Sequence, residues 1–98
     1  MRRRAPTPIA DVLQKAVADA APDTLIARVQ AAWPGAVGDV IAAESQPAEE
    51  REGTVRVECS GAVWAQELDL MGADLTARLN ASLGTPAVRR LRFIVKAS

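Results

Sequence analysis

Five cations, Arg78, Arg89, Arg90, Arg92 and Lys96, follow the last acid of the chain, Asp74. If the segment after Arg89 is a strand, Arg90, Arg92 and Lys96 project from one face, with alternate residues about 7 Å apart. That spacing is comparable to successive phosphates on a nucleic-acid backbone, and guanidinium groups match phosphate oxygens in a bidentate fork. Arg56, within Thr54-Val-Arg-Val-Glu-Cys59, has the same outward parity, and Arg2, Arg3 and Arg4 add a second basic cluster at the N-terminus. The plainer role of such charges is to solvate an outer face or keep a sheet edge from pairing with another. The residues themselves leave both readings open.

Missing residue types narrow the chemistry. There is no histidine and only one cysteine, so the commonest general base and any zinc cluster are absent. Carboxylates gather at Glu49-Glu50 and Glu52 and at Glu67 and Asp69, but no nucleophile, base or phosphate loop accompanies them. The expectation is a binding module, not an enzyme, with no cofactor, no metal and no small-molecule substrate. Tyrosine is absent and the one phenylalanine, Phe93, has inward parity, so bases have nothing to stack on. Any nucleic-acid contact should then be with phosphates, independent of sequence and sensitive to salt. Gly35-Ala-Val-Gly38 matches the G-x-x-G that clamps a nucleic-acid backbone in KH domains, but it precedes the strands, where such a clamp would join two helices after them. Its glycines read better as a helix end with tight backbone passage.

Several elements must position these groups within one domain of 98 residues. Residues 1–7 are basic and broken by proline, which suggests a flexible arm; residues 8–98 are expected to form the domain. Thr7 and Pro8 open a short helix with Ile9, Val12, Leu13 and Val17 on one side. A second helix follows Pro22-Asp23 with Leu25, Ile26, Val29 and Trp33, and Pro34-Gly35 and Gly38 should break or bend it. Ile41 to Gln46 is the nearest candidate for a first strand, with Pro47 to Gly53 as a charged turn. Val55, Val57 and Cys59 alternate with Arg56 and Glu58 as in a half-buried strand, and Cys59 reads as a small buried hydrophobe. Trp64, Leu68, Met71, Leu75, Leu79 and Leu83 make one helical stripe, with Ser60 as N-cap and Gly84 as terminator. Val88 to Val95 closes the chain as a strand, Leu91, Phe93 and Val95 facing in and Arg90, Arg92, Ile94 and Lys96 facing out.

The expected fold is therefore α+β, in the order α-α-β-β-α-β, a three-stranded sheet with helices on one face. Trp33, Trp64, Leu68, Leu75, Leu79, Val55, Val57 and Phe93 should share one core. Net charge is zero, yet two basic ends bracket an acidic middle, which suggests a positive face. No apolar run approaches the ~20 residues that cross a bilayer, and Pro6, Pro8 and Asp11 interrupt any signal segment after Met-Arg-Arg-Arg. A cytoplasmic protein with no membrane contact is expected.

Trp33, Val37-Gly38, Gly53-Thr-Val-x-Val57, Ser60 followed by Val63-Trp-Ala-Gln-Glu-Leu68, and Leu79-Asn80 with Leu83-Gly84, in that order, resemble the bacterial DciA family. The resemblance runs from about Ile9 to Val95. It implies a KH-like two-layer domain that engages the replicative helicase and assists its loading on DNA at replication initiation. DNA, single-stranded and held by phosphates, would be a second partner, through Arg78, Arg89, Arg90, Arg92, Lys96, Arg56 and the Arg2, Arg3, Arg4 arm. A different reading, a KH-like protein associated with RNA in its metabolism or in ribosome assembly, stays open, as does a subunit that dimerises through its open sheet edge.

Overall fold

Strand β2 (Thr54–Cys59) decides the architecture, because Val55, Val57 and Cys59 are fully buried while Thr54, Arg56 and Glu58 stay partly open. A strand with one dry and one wet parity needs cover on a single face. The computed structural model describes residues 24–97. Within them, helices α1 (Leu25–Val37) and α2 (Asp39–Glu44) precede β1 (Ser45–Arg51) and β2; α3 (Ala62–Leu70), α4 (Gly72–Leu83) and β3 (Arg90–Val95) follow. Counting α3 and α4 as one interrupted helix gives the order α-α-β-β-α-β, as expected, although its second helix is Asp39–Glu44, a segment the sequence did not mark as helical. The expected arm at Arg2, Arg3 and Arg4 and the expected helix around Ile9 to Val17 fall outside the described residues.

The sheet order is β1-β2-β3, with β1 antiparallel and β3 parallel to the central β2. Helices α1, α3 and α4 pack on one face, where Trp33, Leu68, Leu75, Leu79, Val55 and Val57 form one core against which Trp64 and Phe93 are half-buried. Cys59 belongs to this core, and burial pushes its thiol pKa up, which suits a packing residue better than a nucleophile.

Three local expectations are corrected. First, Pro34-Gly35 does not break α1, which is capped by Thr24 Oγ1 accepting from Ala27 N at 3.2 Å and runs on to Val37. Burial of Trp33, Ala36 and Val37 holds the turn around the proline, and the stop comes at Gly38, whose φ of +97° a side chain would resist. Second, Ile41 to Glu44 is helical, and β1 begins only at Ser45 and runs through the expected turn as far as Arg51. The buried Trp33 indole donates from Nε1 to Ser45 Oγ at 3.1 Å, and that hydroxyl donates to the Ile41 carbonyl at 2.6 Å. This chain of bonds fixes where helix gives way to strand, and it satisfies polar atoms that burial would otherwise penalise.

Third, the long stripe is two helices. Met71, 38% exposed, interrupts it, its N–H bonding the Leu68 carbonyl at 3.0 Å. The break lets α3 lie along β3 while α4 turns to pack on α1. Ser60 does not cap α3 with its side chain; Gly61 holds the N-cap position, and Ser60 Oγ instead bonds Glu44 Oε1 at 2.5 Å. Gly84 ends α4 in the left-handed conformation, φ +78°.

Leu75 is fully buried, so Leu75→Ala should cost about 2 to 5 kcal/mol in chemical denaturation. A loss below about half a kcal/mol, the range of an ordinary surface substitution, would place α4 outside the core.

Candidate nucleic-acid interface

The wet face of the sheet is set by strand parity and register. Arg51 pairs with Thr54, which pairs with Arg90; Glu49 pairs with Arg56, which pairs with Arg92; Gln46 pairs with Glu58, which pairs with Ile94. Side chains on each such rung stand side by side at the ~4.8 Å strand spacing. The first two rungs, with Glu52 and Arg89 from the adjoining loops, line an open hollow of about 810 Å³. Five arginines therefore face two carboxylates there.

Arg56 is the centre of the face. Its Nη2 lies 2.9 Å from Glu49 Oε1 and its Nη1 2.9 Å from Glu58 Oε2, with 31% of the side chain exposed. The side-chain hydrogen bond to Glu49, and after it the bond to Glu58, raise its pKa against the opposing effect of desolvation. With its charge balanced on both flanks, Arg56 can stand beside Arg92 on the next strand without leaving two bare cations in contact. Arg90 and Arg92 are exposed and make no ion pair among the described residues.

Two backbone devices hold the rim. The turn at Glu52-Gly53 joins Arg51 directly to Thr54, with φ of +52° and +87°, both left-handed as a two-residue hairpin loop of the primed type requires. Glu50 Oε2 accepts from Gly53 N at 2.7 Å, and the Gly53 carbonyl accepts from Arg89 N at 2.8 Å. On the other side, the Asn80 side chain pairs with Val88 as a strand would, donating to its carbonyl at 2.9 Å and accepting from its N–H at 3.0 Å. The amide thus fixes the entry to β3, and so the placement of Arg89, Arg90 and Arg92.

The basic set read from the sequence does not gather whole. Arg56, Arg89, Arg90 and Arg92 meet in the hollow. Arg78 sits on α4, in the layer behind the sheet, paired with Asp74 at 3.2 Å. Lys96 lies past the end of β3, its N–H bonded to the Cys59 carbonyl, and lines a smaller recess that includes Glu44 and Glu58. Arg2, Arg3 and Arg4 are outside the described residues. Arg51 was missed, because the segment before Gly53 read as turn; the two-residue loop signal was present but carried by Glu-Gly, weaker than Asn-Gly or Asp-Gly. In the G-x-x-G segment, Gly35 is helical and Ala36 and Val37 are buried, so no exposed clamp forms there. Among the described residues no three His, Cys, Asp or Glu side chains gather as a metal site, and no helix is long and apolar enough to cross a membrane.

Comparison with known proteins gives a family. The family model described as "Dna[CI] antecedent, DciA" matches residues 8–93. A UPF0232 protein of Streptomyces avermitilis is 38% identical over 66 residues, covering 65% of this chain and 36% of the relative. UPF0232 proteins of Rhodococcus jostii and Mycobacterium tuberculosis are each 33% identical over 61 residues, which cover 62% of this chain and 32% and 33% of theirs. The chain thus spans about a third of the length of the curated relatives it matches.

At Gly53 a Cβ would lie 2.7 Å from Arg89 Cδ and 3.3 Å from the Ala87 carbonyl, on top of the positive φ. Gly53→Ala should therefore destabilise the domain by more than about 1 kcal/mol and shift the amide resonances of Arg89 and Arg90. An unchanged midpoint of unfolding with unchanged spectra would show that the turn does not hold the rim of the hollow.

Proposed function

Since this chain belongs to the DciA family, we propose that it is a non-enzymatic binding module that engages the replicative helicase and assists its loading on DNA at replication initiation. The match over residues 8–93 is the observation that carries this reading. A loader without nucleotide chemistry must act by differential binding, shifting the helicase toward the state that accepts DNA.

DNA contact is the second part of the proposal. The outer face offers Arg90 and Arg92 on neighbouring rungs, with Arg51 and Arg89 at the rim, and no aromatic platform for bases. Such a surface would hold a single strand by its phosphates, weakly and without regard to sequence. Arg56 would act indirectly, by neutralising Glu49 and Glu58, which would otherwise repel the same phosphates. Arg78 and Lys96 stand apart from this surface and would contribute less.

Replacing Arg90 and Arg92 together by alanine should weaken single-stranded DNA binding equally for all sequences and reduce the slope of log K against log salt by about 1.4, two phosphate contacts at about 0.7 each. An unchanged slope would return both arginines to solvation of an outer face. Mixing the purified chain with the replicative helicase of the same organism should give a complex by light scattering without added nucleotide. No association at micromolar concentrations, with a folded sample, would remove the helicase reading and favour an RNA-associated protein.

A further inference from the structure

Strand β3 has one partner, β2, and among the described residues nothing pairs with its other edge. The direction of its backbone groups follows from two bonds: Arg90 N–H reaches the Gly53 carbonyl and Lys96 N–H the Cys59 carbonyl. In a parallel ladder alternate residues bond to the same neighbour. Arg90, Arg92, Ile94 and Lys96 therefore serve β2, and the N–H and C=O groups of Leu91, Phe93 and Val95 point out from the sheet. These are the groups that a further strand would use.

The surroundings of that edge are asymmetric. On its helical side the edge borders a groove between α3 and β3, lined by Ala62, Ala65, Gln66 and Asp69 of α3 and by Phe93, Ile94 and the half-exposed Val95, 48% open. Val63 and Leu70, 73% and 77% exposed, add apolar side chains elsewhere on α3. On its outer side the same edge carries Arg90, Arg92 and Lys96. A strand laid here would turn one parity toward Ala62, Ala65, Phe93 and Val95 in this groove and the other toward three cations.

The charges also decide who can occupy it. A second copy pairing β3 with β3 about a two-fold axis centred on any residue from Leu91 to Ile94 sets two cations directly opposite each other: Arg90 and Arg92, Arg92 and Arg92, Arg90 and Lys96, or Arg92 and Lys96. Like charges at that position are destabilising. We propose that the β3 edge binds an extended segment of a protein partner by strand addition, a segment whose residues alternate between apolar side chains toward the Ala62–Ala65 groove and acidic side chains toward Arg90, Arg92 and Lys96. This site shares Arg90 and Arg92 with the phosphate contact proposed above but does not depend on it, because it requires backbone hydrogen bonds that a phosphate backbone cannot supply.

The test uses the full chain and a capped, fluorescein-labelled peptide of alternating valine and glutamate. Two further versions carry N-methyl groups on the valine amides or on the glutamate amides, each blocking one edge of the peptide while the protein is untouched. Strand addition uses one edge only, so one methylated peptide should lose binding by about tenfold or more and the other should keep it. Exchange of glutamate for lysine should cost a similar factor. The Leu91, Phe93 and Val95 amides should exchange quickly in the free chain and slowly with the peptide bound. Equal affinities for the two methylated peptides, absence of saturable binding at millimolar peptide, slow exchange of these amides in the free chain, or a concentration-dependent dimer mass would each overturn the proposal.

Discussion

One-sided burial of the central strand is the constraint on which the rest of the molecule depends. Val55, Val57 and Cys59 have no exposure, and the helices among the described residues cover only the face they occupy. Everything on the opposite parity must then remain wet. Register brings Arg51, Arg56, Arg90 and Arg92 onto that open face without any element being dedicated to it. The open basic face is thus the complement of the core, written on the same strands in the alternate positions.

Crowding so many cations would strain a face that lacked counter-charges. Glu49 and Glu58 flank Arg56 in the middle of the sheet, so the excess positive charge is pushed to Arg90, Arg92 and the rim. The pairs are partly exposed and contribute little to stability. Their effect is on where the potential lies, concentrating it at the parallel strand β3. That strand is also one of the two edge strands among the described residues, so the sheet presents charge on its face and unpaired backbone along its side.

Legibility in the sequence followed the range of the interactions involved. The alternation of β2 and β3 is local, and the outward parity of Arg56, Arg90 and Arg92 could be read from it; the stop at Gly84 is equally local. The start of β1 was not legible, because Ile41-Ala-Ala suits helix or strand, and the contact that decides it is the bond from Trp33 to Ser45 across the core. The break at Met71 was hidden for a similar reason: the stripe from Trp64 to Leu83 is continuous in period, and only the different directions of α3 on β3 and α4 on α1 require two helices. Arg78 joined the basic set by nearness in sequence, which carries no information about layer, and its partner Asp74 lies one turn away on the same helix. Lys96 has the right parity but sits one residue beyond the register that ends at Cys59 and Val95.

Amide chemical-shift mapping of the labelled chain during titration with single-stranded DNA tests most directly the claim that the open sheet face is the binding surface. Thr54, Arg56, Arg89, Arg90 and Arg92 should move together and in a salt-dependent manner, while Leu75, Arg78 and Leu79 stay fixed. Shifts centred on Arg78 and its neighbours in α4, with the rungs of the sheet unmoved, would contradict it.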